Sequence, residues 1–273
     1  MTDLKKDRFL IIGAGNMGMS FVTALLRNKY SANKIIILEN KPSKKLLKIK
    51  KEKKLTVIKN IKYLKKYQKP NIALLSVKPN QLNSVFDGDL IDFLKSSLII
   101  SIIAGKKLSI LKKVTKNNLG TVRAMTNTPV SVGMGTSILF FDKKTPSILK
   151  KKAYQFLGLV GQVSEVKKES LIDSFTAIFG SGPAYIYYFI ETLSKIAKKH
   201  GLENSNNMVL QLFLGSLLLM LNENESPESL RQKVTSKGGT TEAAMLSLTK
   251  SDKFNKILLE AINKAKKKSK ELN

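Results

Sequence analysis

Two short stretches of this chain carry residue types at spacings that chemistry can use. The first is Gly13-Ala14-Gly15-Asn16-Met17-Gly18, placed directly after the apolar run 9–12 and opening a helix-length stretch. Glycine at the first position permits a tight turn, and at the second it lets the backbone approach a ligand. At the third it lets a helix pack closely on a strand. The helix start directs backbone N–H groups and a positive dipole end at that ligand, which suits a pyrophosphate. Gly13, Gly15, Asn16, Met17 and Gly18 are therefore expected to bind a dinucleotide; a ligand-free glycine turn is the alternative. The next apolar run ends Leu38-Glu39-Asn40-Lys41-Pro42. An acid there grips the ribose 2′-hydroxyl of NAD, and a basic residue suits the 2′-phosphate of NADP. Glu39 and Lys41 pull in opposite directions. With Asn40 and Lys41 as contacts the expected cofactor is NADPH, and NADH is the alternative.

The second stretch is Val234-Thr235-Ser236-Lys237-Gly238-Gly239-Thr240-Thr241-Glu242-Ala243-Ala244. Small hydroxyl residues flank a glycine pair, and a helix begins at once. Its first N–H groups and dipole suit a small carboxylate. Thr240 and Thr241 could equally do no more than cap that helix.

Composition narrows the chemistry. Among 273 residues there is no Cys and one His. That excludes thiolate nucleophiles, disulfides and Cys-bound or multi-His metal sites, so no metal is expected. The formal charge is +28, but only Arg8, Arg27, Arg123 and Arg231 are arginines. Phosphate and base readers favour the Arg fork. The lysines are read as a solvated surface, and no nucleic-acid partner is expected. The N-terminal apolar run is too short for a signal sequence, and the stretch 208–221 falls short of a membrane span. The protein is expected to be cytoplasmic, with no membrane partner.

The elements that position these residues differ between the two halves. In the first, runs 9–12, 34–38, 72–77 and 98–103 read as buried parallel strands, with further strands at 121–125 and 136–141. Helix-length stretches at 18–29, 41–54 and 108–116 alternate with them, which predicts a doubly wound α/β sheet. From about Lys167 onward the spacing predicts only helices: 171–200, 206–221, 227–234, 240–249 and 252–271. The expected domains are 1–165, α/β, and 166–273, all-α. The helical half carries more than one apolar face per helix, which predicts a homodimer through that domain, or a larger assembly of dimers. Gly180-Ser181-Gly182-Pro183 interrupts the first helical run, so a kink or close approach is expected there. His200, before Gly201, suits a helix C-terminus.

These motifs together resemble those of the pyrroline-5-carboxylate reductase family. The stretch 234–241 is similar to its V-T-S-P-G-G-T-T hallmark and 13–18 to its G-x-G-N-M-G. Val77-Lys78-Pro79 resembles its V-K-P turn, 101–105 its S-x-x-A-G, 123–129 its R-x-M-P-N-T-P, and 180–185 its G-S-G-P-A-Y. The likeness extends over nearly the whole chain. Thr126 and Lys237 stand where the family has Pro, and each loses a residue that stiffens a loop. Lys233 stands where some members have Asn.

The resemblance implies a Rossmann-type N-terminal domain and a helical C-terminal dimerisation domain. It implies hydride transfer from NAD(P)H to the C=N carbon of 1-pyrroline-5-carboxylate, giving L-proline. Thr241 would be the catalytic side chain, bonded to the ring nitrogen. Ser236, Gly238, Gly239 and Thr240 would hold the substrate carboxylate, and Glu169 would approach the substrate. Val77, Lys78 and Pro79 would line the nicotinamide side. Ala104, Asn60 and Asn127 would complete the cofactor site. Two rivals are a 3-hydroxy-acid dehydrogenase of related architecture and a non-catalytic dinucleotide-binding paralogue. The first lacks its expected lysine here, since no Lys follows Gly180 until Lys195.

Overall fold

The computed structural model describes residues 4–86, 88–116 and 120–271. Among these, eight strands form one sheet: β1 (Phe9–Ile12), β2 (Ile35–Leu38), β3 (Thr56–Ile58), β4 (Ile72–Leu75), β5 (Leu98–Ser101), β6 (Thr121–Thr126), β7 (Gly135–Phe140) and β8 (Gly161–Glu165). Their order is β3-β2-β1-β4-β5-β6-β7-β8, and only the β6–β7 pair is antiparallel. Helices α1 (Asn16–Arg27), α2 (Lys44–Lys53), α3 (Leu82–Val85), α4 (Gly88–Leu94), α5 (Leu108–Thr115) and α6 (Ser147–Gly158) connect the strands. The α/β reading of the first half holds, with β3 and β8 added to the strands read from the sequence.

Strands β1, β2, β4 and β5 are buried along their whole length. Their side chains alternate between two cores, as the two-residue period of a strand requires. Phe9, Ile11, Ile35, Ile37, Leu74 and Ile100 face one core. Leu10, Ile12, Ile36, Leu38, Leu75 and Ile99 face the other. A continuous apolar run is thus the signature of a strand covered on both faces, and each such side chain contributes about 1.5–3 kcal/mol. Phe156 of α6 locks the first core by stacking on Phe9 and Phe21, with centroids 5.7 and 5.4 Å away.

The helical region comprises α7 (Leu171–Phe175), α8 (Gly182–Lys199), α9 (Ser205–Glu223), α10 (Pro227–Lys233), α11 (Thr240–Thr249) and α12 (Lys253–Glu271). Packing divides the described chain into two units. One runs to Ser181 and takes up the chain again from Ala265; the other is Gly182–Lys264. In the first, the end of α12 is tied down by Ser269, whose hydroxyl donates to Asp173 of α7 at 2.9 Å. The kink expected around Gly180 is a π-helical turn, Thr176–Gly180, closed by the Ser181 N–H on the Thr176 carbonyl at 2.9 Å. In the second unit α8 and α9 meet through Phe189 and Phe213, edge to face at 5.7 Å. Ile186, Tyr188, Leu212, Leu217, Leu246 and Leu259 remain exposed there. Among the described residues no helix is long and apolar enough to cross a membrane.

Candidate active site

The glycine loop leaves β1 beside β4, where the order of the sheet reverses. In open α/β sheets that switch point at the carboxyl ends of the strands is where ligands bind. Gly13 has φ +87°, a left-handed conformation that glycine adopts without strain, and a Cβ there would meet Val77 Cγ1 at 2.8 Å. A Cβ on Gly18 would lie 2.1 Å from the Gly13 carbonyl oxygen, so only glycine lets α1 start this close to the turn. A Cβ on Gly15 meets nothing within 4 Å. The space there is on the open side, and Gly15 and Asn16 are exposed. The start of α1 has no side-chain cap. Its leading N–H groups and the room over Gly15 fit a pyrophosphate.

Three neighbouring elements brace the loop. The hydroxyl of Ser76, just past β4, donates to the carbonyls of Gly13 at 2.7 Å and Ile12 at 3.1 Å. Ser76 was not singled out from the sequence; its place at a strand end, directly before Val77-Lys78-Pro79, was the signal. Glu39, just past β2, accepts the Ala14 N–H on Oε2 at 2.7 Å and the Lys41 N–H on Oε1 at 3.0 Å. Asn40 and Lys41 follow it and are exposed. Val77, beside Gly13, and Pro79 are half-buried, whereas Lys78 is exposed and accepts the Gln81 N–H on its carbonyl. Asn60 caps the 3-10 turn Ile61–Lys66, accepting the Lys62 N–H at 3.0 Å. Met17 packs against the core. Ala104 packs on the small cluster of Met125, Ile138, Ile172 and Phe175.

Two residues expected to touch ligands also tie elements of the protein together. Asn127 accepts the Thr136 N–H on Oδ1 at 3.0 Å and donates from Nδ2 to the Phe179 carbonyl at 3.2 Å. It thus fastens the turn between β6 and β7 to the π-helical turn. Glu169 accepts from Arg123 at 2.8 Å and from the Leu108 N–H at 2.6 Å, both on Oε1. It joins β6 to the start of α5. Thr126 is buried and doubly held. It donates to the Thr136 carbonyl at 3.3 Å and accepts from the Ser137 hydroxyl at 2.8 Å. These bonds fix the strand end.

In the second unit the loop 234–241 leads into α11. Gly238 has φ +74°. Its N–H is donated to the Glu242 carboxylate at 2.7 Å, and the Gly239 N–H to the Ser236 carbonyl at 3.0 Å. The N–H groups of Gly238 and Gly239 thus bond within the loop in this structure. The N–H groups of Thr240 and Thr241 open α11, which has no side-chain cap. Ser236 Oγ lies beside Gly239, where a Cβ would meet it at 2.6 Å. Thr241 is half-buried and Lys237 exposed. Lys233 pairs with Glu225; that hydrogen bond raises the lysine pKa and lowers that of the carboxyl.

The sheet order, the glycine loop at its switch point and the helix start behind it define a dinucleotide-binding protein of the doubly wound α/β class. Residues 169–272 match the family model described as pyrroline-5-carboxylate reductase dimerisation. Residues 8–105 match the one described as NADP oxidoreductase, coenzyme F420-dependent. The chain is 30% identical to pyrroline-5-carboxylate reductase 1 of Bacillus subtilis, over 99% of this chain and 90% of that protein. The solved structure of a pyrroline-5-carboxylate reductase from Coxiella burnetii shares 31% identity with a TM-score of 0.87, covering 98% of each chain. That of Plasmodium falciparum pyrroline carboxylate reductase, with NADP bound, shares 27% identity with a TM-score of 0.84, covering 99% of each. The chain belongs to the pyrroline-5-carboxylate reductase family.

Proposed function

We propose that this chain reduces 1-pyrroline-5-carboxylate to L-proline in the cytoplasm, as a homodimer or an assembly of dimers. The observation that carries the reading is the open glycine loop at the switch point, in a chain that also keeps the serine, glycine-pair and threonine-pair start of α11. Gly13, Gly15, Asn16, Met17 and Gly18 hold the pyrophosphate, with Asn40, Lys41 and Asn60 towards the adenine ribose. Val77, Lys78, Pro79 and Ala104 line the nicotinamide side. The reduced nicotinamide, when bound, supplies the hydride to the C=N carbon. A cyclic imine is readily protonated in water, so the chain needs no metal or strong acid to make it electrophilic. What remains for the protein is orientation and electrostatics. Thr241 bonds the ring nitrogen through its hydroxyl. Ser236 and the N–H groups of Thr240 and Thr241 hold the carboxylate, aided by the helix dipole. Glu169 and Asn127 act as positioning residues through the ties described above. The doubly bonded Thr126 removes one reason to regard the chain as a degenerate paralogue.

The exposed apolar side chains of α8, α9 and α11 support self-association, since their burial needs a second surface. Analytical ultracentrifugation is expected to find no species smaller than two chains at micromolar concentration; a monomer would count against the dimer. Turnover is followed by loss of reduced-nicotinamide absorbance with 1-pyrroline-5-carboxylate. Thr241→Ala is expected to lower kcat about 10- to 100-fold. That is less than the roughly 10²–10³ lost with a donor acting mainly in the transition state, because Thr241 also bonds the ground state. Absence of turnover by folded wild type with NADH and NADPH would overturn the reading. Undiminished turnover in Thr241→Ala would overturn that assignment alone.

A further inference from the structure

The choice between NADPH, read from the sequence, and NADH turns on one carboxylate. We propose that Glu39 sets this choice and that the chain takes NADH in preference to NADPH. The inference rests on the reductase reading above. Glu39 is the first residue past β2, and its Oε2 accepts the N–H of Ala14, inside the glycine loop, at 2.7 Å. Its Oε1 accepts the Lys41 N–H at 3.0 Å. The carboxylate is therefore not a loose surface acid; two backbone donors fix it against the turn that receives the dinucleotide. The end of β2 is where the adenosine ribose of a bound dinucleotide lies in this fold. An ionised carboxylate offers about four lone-pair positions, and two are used here. Ribose hydroxyls are donors and can take the others. A 2′-phosphate is an acceptor and an anion, so at this point it meets like charge without a proton to share.

The cations nearby do not reverse this. Recognition of a 2′-phosphate in this fold favours Arg, and the arginines of this unit are placed elsewhere. Arg8 precedes β1, at the opposite end of the strands, and donates to the Lys69 carbonyl at 3.1 Å. Arg27 ends α1 and lies against Gly133. Arg123 is buried against Glu169. Lysines remain, namely Lys41, Lys44 at the start of α2 and Lys59 just past β3, all with exposed side chains, and the Lys41 backbone N–H holds Glu39 in place. The similar Plasmodium falciparum structure holds NADP, so the family fold accommodates that dinucleotide; the side chain at the end of β2 decides here.

The test is calorimetric titration of the full chain with ADP-ribose and with 2′-phospho-ADP-ribose at physiological salt. Wild type, Glu39→Gln and Glu39→Ser are compared, alongside kcat/KM with NADH and NADPH. Wild type is expected to bind ADP-ribose at least about tenfold more tightly than its 2′-phosphate. Either variant is expected to shrink that ratio about tenfold or invert it, mainly by tightening the phosphorylated ligand. Equal or tighter wild-type binding of 2′-phospho-ADP-ribose would overturn the proposal, as would an unchanged ratio in both variants. Turnover of 1-pyrroline-5-carboxylate that is faster with NADPH would overturn it while leaving the reductase reading intact. No turnover with either dinucleotide would sink that reading, and the binding ratio would still decide the role of Glu39.

Discussion

Glu169→Ala is expected to lower the unfolding free energy by about 1.5–3 kcal/mol, the range for a hydrogen bond to a charged group. Its carboxylate faces Arg123, whose side chain is 2% exposed, whereas Glu169 itself is 26% exposed. The two deletions are therefore unequal. Losing Glu169 leaves a guanidinium inside the protein with its carboxylate gone, and water cannot easily replace it. Losing Arg123 leaves a carboxylate that water can reach and that still accepts the Leu108 N–H. Arg123→Met, which also fills the volume with apolar atoms, should cost less than Glu169→Ala. Denaturant unfolding followed by circular dichroism ranks them, with the midpoint shift read at constant slope. Equal midpoints for Glu169→Ala and wild type would remove the structural role given to this pair. Glu169→Gln keeps an acceptor for Leu108 but not the charge, and should fall between.

The second large effect concerns the dinucleotide. Gly18→Ala is expected to weaken ADP-ribose binding at least about 100-fold. The new methyl would stand 2.1 Å from the Gly13 carbonyl oxygen, a backbone atom that Ser76 holds at 2.7 Å. Ordinary contact needs roughly 3.5 Å, so the start of α1 has to move away from the turn by more than an ångström. A misplacement near 1 Å can cost about 10²-fold in rate where reacting groups must be aligned, and here it moves the N–H groups that face the pyrophosphate. Gly15→Ala is the informative partner. Nothing in the protein lies within 4 Å of a Cβ there, so the thermal midpoint should hold while the methyl fills the ligand side of the loop. Calorimetric titration and thermal unfolding of both variants separate the cases. Gly15→Ala with unchanged affinity would mean that the pyrophosphate does not approach the loop at that residue. Gly18→Ala with unchanged affinity would mean that the packing of α1 on the turn does not shape the site.

The strands buried on both faces were legible because burial of both faces demands uninterrupted apolar runs, and 9–12, 35–38, 72–75 and 98–101 supply them. β3 and β8 were not. Thr56–Ile58 is three residues long beside a lysine-rich helix, and Gly161-Gln162-Val163-Ser164-Glu165 is mostly polar and partly open to solvent. What admits β8 to the sheet is tertiary: at Gly161, φ is +144° and a Cβ would lie 2.0 Å from the Gly135 carbonyl oxygen. No periodicity in the sequence records so close an approach of two paired backbones.

The candidate site divides along the same line. Residue type and spacing by themselves determined the glycine loop, the threonine pair opening α11 and the exclusion of cysteine chemistry. These depend on local backbone conformation and on which functional groups exist at all. The partners of charged and amide side chains lie far away in sequence, and only the tertiary structure decided them. Glu169 meets Arg123 across 46 residues, Asn127 reaches Phe179 across 52, and Glu39 reaches Ala14 across 25. Each carries a group that could have bound a ligand. A hydrogen bond is directional and short, so its partner depends on which strand end lies beside which loop, and the sheet order fixes that.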